Sequence, residues 1–163
     1  EVAGHVARAL EDGARLLSAG AAPEGAEYAQ GSYSLPTILD GLPNAARLCR
    51  EEVFGPVLAV LPFEDEADVV MQGNDNDYGL ACGIWTRDFP KAWRVARAIK
   101  AGTVWINTYK QFSISTPFGG DGASGIGREK GRQGLRAYMS QKSVYTDLAG
   151  TPNPWAASVV GQA

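Results

Sequence analysis

Val2, Val6, Leu10, Gly13 and Leu17 recur at helical spacing, with Arg8, Glu11, Asp12 and Arg15 on the other faces. This pattern predicts an amphipathic helix over residues 2–18 that ends near Gly20. A polar loop rich in Gly and Ala follows. Residues 33–39 (YSLPTIL) read as extended, and Pro36, which cannot donate to a ladder, confines them to an edge or irregular strand. From there the pattern is regular. Residues 57–63 are a short, almost wholly apolar run suited to a strand buried on both faces, residues 64–73 a short helix, and residues 80–86 a second buried strand. Asp88 caps a helix over 89–100 that has Pro90 in its first turn and Trp93, Ala96 and Ile99 on its inner face. Gly102 ends that helix, and residues 103–107 (TVWIN) make a third buried strand. Strand, helix, strand, helix, strand with short connections implies right-handed crossovers and a parallel sheet, which sets the fold class as α/β. Beyond a glycine-rich loop, a helix over about 129–140 and a last strand over 143–148 are expected, followed by a loosely held tail rich in Pro, Gly and Ala. That last strand has no later strand to cover its edge, and either joins its own sheet or pairs with another chain.

A chain of 163 residues suits one domain with a sizeable core. The formal charge of −3 and the absence of a long Lys or Arg run exclude a nucleic-acid footprint. The longest apolar runs, such as 57–62, fall far short of the ~20 residues of a membrane span, and no signal peptide opens the chain. A soluble protein without a membrane partner is expected. Cys49 and Cys82 form neither a metal spacing nor a disulfide framework, which suits a reducing compartment; no metal is expected and the cytoplasm is the expected location. The first residue is Glu1, with a helical pattern starting within two residues of it, and this predicts a piece of something longer.

The stretch TPFGGDGASGIGREKG, residues 116–131, contains Gly120, Gly122 and Gly125 at the G-x-G-x-x-G spacing of a dinucleotide loop. That fingerprint acts only where a strand enters it and a helix opens on the phosphate. Here Ser115, Thr116 and Pro117 precede it, and six glycines in sixteen residues spread the turn into a long loop, so a Rossmann phosphate loop is not expected.

Ligands in open α/β sheets bind beyond the carboxyl ends of the strands, where the loops starting at Asp88 and Asn107 lie. Asn107, Thr108, Tyr109, Gln111, Phe112, Ser115 and Phe118 mix aromatic walls with a few polar groups. Such a loop either lines a small-molecule pocket or packs on its own domain, and the residues alone leave both open. In REEVFGPV, residues 50–57, two carboxylates stand against an aromatic ring and a Gly-Pro turn before a buried strand; adjacent acids of this kind are most often simply solvated. His5, on the first helix, shows no partner and reads as structural.

In order and at matching intervals, YSLPTIL, REEVFGPVLAV, NDNDYGLACGIWTRD, AGTVWINTY, TPFGGDGASGIGREKGRQGLRAY and KSVYTDL resemble the C-terminal portion of the NAD(P)-dependent aldehyde dehydrogenase superfamily, over residues 1 to about 148. The resemblance implies a Rossmann-like catalytic-domain portion over 1–142, an oligomerisation strand over 143–149 and a tail over 150–163. It implies NAD or NADP as cofactor, a small-molecule aldehyde as substrate, and a homodimer or homotetramer. The family's chemistry is attack of a cysteine thiolate on the aldehyde, hydride transfer from the thiohemiacetal to the nicotinamide, and hydrolysis of the thioester by glutamate-activated water. The nucleophile, the base, the oxyanion asparagine and the cofactor domain of that pattern all lie upstream of Glu1, so no catalytic residue is assigned here and the isolated chain is expected to be inactive. Cys49 precedes the E-E-x-F-G-P motif and Cys82 lies inside an apolar strand, where it reads as a small buried hydrophobe.

A supporting set carries over. Glu52 matches the family carboxylate that accepts hydrogen bonds from the nicotinamide ribose hydroxyls, and Phe54 the ring beside that ribose. Phe112 and Phe118 match positions lining the aldehyde tunnel, with Tyr109, Lys110 and Gln111 on the same loop. The glycine loop matches a structural elbow beneath the tunnel. This chain departs from the pattern at Asp121 and Gly122, where many members place a bulky residue and then a cation; loss of that cation puts any local ion pair in doubt and predicts a more mobile loop. The alternative to a dehydrogenase fragment is a free-standing, non-catalytic module that keeps the fold for assembly, a role in which the ribose acceptor Glu52 has no use.

Overall fold

The computed structural model describes residues 1–148, apart from 22 and 29, together with residue 150. The tail expected over 150–163 therefore lies almost wholly outside the described residues.

Helix α1 (Val2–Glu11) stops well short of residue 18. Gly13 adopts φ 98°, a left-handed conformation that glycine takes without steric cost, and the chain leaves as strand β1 (Arg15–Ala19). Leu17 thus matches the helical spacing by coincidence and belongs to a strand. β1 pairs antiparallel with β2 (Thr37–Asp40) through an irregularity between Leu16 and Ser18, and β2 pairs parallel with β3 (Val57–Val60), Thr37 opposite Val57 and Asp40 opposite Val60. The order is β1-β2-β3, so β2 is central and the edge position expected from Pro36 is corrected. The proline stands just outside the ladder, where only its carbonyl is used, accepting from the Gly20 amide at 2.8 Å. The Arg15 guanidinium closes the β1–β2 end on Asp40 with two hydrogen bonds of 2.9 and 2.7 Å.

The main core lies between this sheet and α1 with the short helix α2 (Arg47–Arg50). Leu39, fully buried, packs with Ala9, Ala14 and Leu42, and Val6, Leu48, Cys49 and Val57 close around it. β3 buries one face only: Val57 and Ala59 turn inward, whereas Leu58 and Val60 are exposed. The strand's apolar run therefore has a second face that no described residue covers.

Helix α3 (Glu66–Asn74) is capped by Asp65, whose carboxylate accepts from the Asp68 amide, and α4 (Phe89–Ala98) by Asp88, which accepts from the Lys91 amide at 3.0 Å. Pro90 sits in the first turn of α4 as expected. Ala92 and Val95 form its buried stripe with Ala96 and Ile99 beside them, whereas Trp93 is exposed and stacks on Phe89, ring centroids 6.3 Å apart. One residue of helix is a rotation of ~100°, which carries Trp93 off the stripe begun by Ala92 and corrects its inner-face assignment. Arg94 grips Glu66 with two bonds of 2.8 Å and so ties α4 to α3. Asn74 finishes α4, donating to the Ala98 carbonyl at 2.8 Å and accepting from the Lys100 amide at 2.7 Å.

Strand β4 (Tyr78–Gly79) precedes β5 (Ala81–Ile84), which pairs parallel with β6 (Thr103–Ile106), while β4 itself meets the two-residue β7 (Asp121–Gly122) in antiparallel sense. The α/β class with parallel pairing holds, but not as one continuous parallel sheet: the described residues form three separate sheets, and β3 is not hydrogen-bonded to β5. Helix α5 (Gly131–Arg136) is shorter than the 129–140 expected. Glu129 cannot join it because its backbone pairs with Phe118 in an antiparallel bridge, amide to carbonyl at 2.7 and 2.8 Å. Residues 143–148, expected as a strand, make no ladder with the described residues, and Val144, Tyr145 and Leu148 are exposed. A strand forms only beside another strand, and this segment joins no ladder among the described residues. No helix among the described residues is long and apolar enough to cross a membrane.

Candidate functional site

The carboxyl ends of β5 and β6 are locked by one side chain. Asn107, at φ 54°, accepts from the Thr86 amide and donates to the Thr86 carbonyl, both at 2.9 Å, while its own amide reaches Ile84 at 2.8 Å. Asn tolerates this left-handed backbone better than other side chains do, and the amide group imitates one further rung of the ladder. The chain is thereby turned out of the sheet into the loop 108–118.

That loop is built on Trp105, which is buried on β6. Its indole Nε1 donates to the Gln111 carbonyl at 2.8 Å, and its ring meets Tyr109 and Phe112 edge-on, with centroids 5.3 and 5.5 Å away. Phe112 in turn meets Phe118 edge-on at 5.0 Å. Gln111, Phe112 and Phe118 line a cavity of about 370 Å³ with Trp105 and Thr108, a size suited to a small molecule. Gln111 supports this wall through its main chain. Tyr109 lies away from the cavity, against Trp105 and Trp85, with Lys110 Nζ 5.7 Å from its ring. The Thr103 hydroxyl, in the same cavity, is buried and has no hydrogen-bond partner among the described residues.

The second cluster sits on the loop between α2 and β3 and lines neither this cavity nor the larger one beside it. Glu51 and Glu52 separate in role. Glu51 accepts from Arg47 Nε at 2.7 Å, a bond that draws its carboxyl below the usual range, and its other oxygen lies 3.9 Å from His5 Nδ1. His5 therefore has a partner that sequence reasoning did not find. Glu52 is exposed and makes no ion pair among the described residues. Two residues on, Phe54 is 90% exposed at φ 49°, a backbone state that costs of order 1–3 kcal/mol in a bulky side chain. The carboxylate free of cations and the ring held out in strain are the two positions that the sequence singles out.

The glycine loop is a packing device. A Cβ on Gly102 would overlap the Gly119 carbonyl, and one on Gly119 the Gly127 carbonyl, so backbone lies directly on backbone. Gly122, at φ 61°, pairs with Tyr78. The loop keeps an ion pair: Arg128 donates to Asp121 Oδ1 at 2.8 Å and to the Gly120 and Gly127 carbonyls, so Asp121 recruits a cation from the other end of the loop although Gly122 supplies none. Sequence reasoning also missed Lys130, whose Nζ stands 4.0 Å from the Phe112 ring centroid and 5.8 Å from that of Phe118. The bridge between Phe118 and Glu129 creates this contact, and no local pattern announces it.

Burial pushes the Cys82 thiol up from its usual value; Cys49 moves the same way for the same reason, with Arg50 pulling weakly against it. Neither is poised as a thiolate. No group of His, Cys, Asp and Glu among the described residues could hold a metal ion.

Residues 1–144 match the model of the aldehyde dehydrogenase family. The chain belongs to the aldehyde dehydrogenase family. Betaine aldehyde dehydrogenase of Mesorhizobium japonicum is 39% identical over 155 residues, 95% of this chain and 32% of the relative. Among solved structures, an aldehyde dehydrogenase of Mycobacterium tuberculosis complexed with NAD+ is 41% identical with a TM-score of 0.81, over 93% of this chain and 31% of that one. A betaine aldehyde dehydrogenase of Staphylococcus aureus in complex with NAD+ is 36% identical with a TM-score of 0.85, over 94% and 31%. The chain thus spans about a third of the length of the aldehyde dehydrogenases it matches.

Proposed function

We propose that this chain is the C-terminal third of an NAD(P)-dependent aldehyde dehydrogenase that oxidises an aldehyde to a carboxylic acid through a cysteine-bound thiohemiacetal and thioester. The observation that carries the reading is the pair Glu52 and Phe54: an exposed carboxylate that makes no ion pair among the described residues, two residues before a ring displayed at φ 49°. A carboxylate accepts two O–H donors at once, which fits a ribose diol, and the ring offers an apolar flank to the sugar. The cofactor, when bound, accepts the hydride. Phe112, Phe118 and Gln111 form a wall that excludes water from the aldehyde, with Tyr109 and Lys110 behind it. NAD+ in the two related structures supports the cofactor class.

The chemistry itself falls outside this chain. Burial raises both thiols, which disfavours either as the nucleophile; the resemblance assigns the nucleophile, the base and the oxyanion donor to the rest of the enzyme. The exposed Leu58, Val60 and Phe63 are an apolar face for that remainder to cover. The division into residues 1–142, an assembly strand over 143–149 and a tail over 150–163 belongs to the same reading: Val144, Tyr145 and Leu148 are exposed and unpaired in a ladder, as a strand added to a neighbouring subunit's sheet in a dimer or tetramer requires.

Two assays test the proposal. The purified chain, given NAD+ or NADP+ and a panel of aldehydes, should form no NAD(P)H, whereas the full-length protein should. Turnover by the chain alone that Cys49→Ala or Cys82→Ala abolishes would contradict it.

A further inference from the structure

The loop that carries Glu52 and Phe54 is flanked at both ends by one face of α1. Before Glu52, the Glu51 carboxylate accepts from Arg47 Nε at 2.7 Å and lies 3.9 Å from His5 Nδ1, a distance for an ion pair with a protonated imidazole and too long for a hydrogen bond. The imidazole is only 11% exposed, so packing fixes where it stands. After Phe54, Gly55 lies against Val2: a Cβ there would come within 2.6 Å of Val2 Cγ2. Val2 and His5 are three residues apart in one helix and therefore neighbours on its surface.

Between these points Glu52 and Phe54 are exposed, and Phe54 is held at φ 49°. A left-handed backbone in a bulky residue persists only where its surroundings over-determine it. Arg47 and His5 on one flank and Val2 on the other contribute that constraint, and beyond Gly55 the Pro56 carbonyl accepts from the Thr37 amide at 2.9 Å. The two adjacent acids divide the work. Arg47 draws the Glu51 carboxyl below its usual range, with His5 and Arg8 adding to the pull, whereas Glu52 makes no ion pair among the described residues.

Resting on the dehydrogenase reading above, we infer that Glu51 and His5 are positioning residues for the cofactor, which act through the Glu52–Phe54 loop by holding it in the geometry that receives the nicotinamide ribose. Position and charge predict different outcomes. The cofactor is anionic through its diphosphate, so by electrostatics alone loss of the Glu51 charge would favour its binding and loss of an imidazolium would disfavour it. Acting through the loop, both losses weaken binding.

The test titrates NAD+ and NADP+ into the full-length enzyme as wild type, Glu51→Gln, His5→Ala, His5→Gln and the Glu51→Gln/His5→Ala double variant, with Glu52→Gln alongside; the KM for the aldehyde and the melting temperature are measured on the same samples. Glu51→Gln and His5→Ala should each raise the cofactor Kd by about threefold or more and leave the aldehyde KM unchanged. His5→Gln, which keeps a donor toward Glu51, should recover most of the loss, and the double variant should bind no worse than the weaker of the two single variants, because both act through one contact. A merely destabilised protein has less active enzyme but the same Kd in its folded fraction, so a lower melting temperature does not imitate this result. Should His5→Ala fail to fold, Glu51→Gln at its exposed position decides alone. Glu51→Gln binding the cofactor as well as the wild type or better, or a folded His5→Ala with unchanged Kd, overturns the inference. The dehydrogenase reading stands if Glu52→Gln alone loses affinity, and falls with the inference if no variant does.

Discussion

The indole of Trp105 donates a 2.8 Å hydrogen bond to the Gln111 carbonyl, so a buried residue of a strand fixes the loop that carries Phe112. Trp105→Phe keeps an aromatic ring against Tyr109 and Phe112 but leaves that carbonyl unpaired. The expected loss is about 1–2 kcal/mol, seen as a lower denaturation midpoint of the full-length protein, together with a raised KM for the aldehyde. An unchanged midpoint would show that the loop does not depend on this bond.

Arg128 and Asp121 share one ion pair but should not matter equally. Asp121 is the exposed partner, and Asp121→Asn should cost no more than about 1 kcal/mol. Arg128 is mostly buried and also serves two glycine carbonyls, so Arg128→Met strips three acceptors and should cost about 2–4 kcal/mol. Thermal melting of the two variants, with limited proteolysis between residues 119 and 128, measures the difference; equal melting temperatures would contradict it.

Asp88→Ala removes the carboxylate that caps α4 and should destabilise the protein by about 1 kcal/mol, with Asp88→Asn restoring most of it. This cap was legible in the sequence because it is local: Asp88, Pro90 and the apolar stripe lie within one helix. The early turn at Gly13 was not, since Leu17 fits the helical spacing as well as it fits a strand, and only pairing with β2 decides between them. Trp93 misled for a related reason: size suggests burial, but the stripe set by Ala92 and Val95 leaves no room for it. At the candidate site, Glu52, Phe54, Phe112 and Phe118 were singled out by the family resemblance of their motifs and not by any local pattern. Arg128 with Asp121, and Lys130 with Phe112, arise from a chain reversal that no periodicity encodes.

Acid should weaken the α3–α4 junction. The Arg94 hydrogen bond holds the Glu66 carboxyl below its usual range, and the Glu64 amide and Gln72 do the same for Asp68. A carboxyl lowered in the folded state contributes stability that is complete above its unfolded pKa of roughly 4 and is lost as pH falls through the folded value. The melting temperature should therefore fall below about pH 4, and Glu66→Gln should flatten part of that fall while lowering stability at neutral pH. A pH profile identical in the variant would exclude the pair from acid unfolding.

The central claim is that Glu52 is the ribose acceptor of an NAD(P)-dependent dehydrogenase. Titration of NAD+ and NADP+ into full-length wild type and Glu52→Gln, with single-turnover NAD(P)H formation on the same samples, tests it most directly. The variant keeps size and loses charge at an exposed position, so its melting temperature should not change. Cofactor affinity or the hydride-transfer rate should fall by the equivalent of about 1–3 kcal/mol, roughly ten- to a hundredfold. Affinity and rate both equal to the wild type's would contradict the claim.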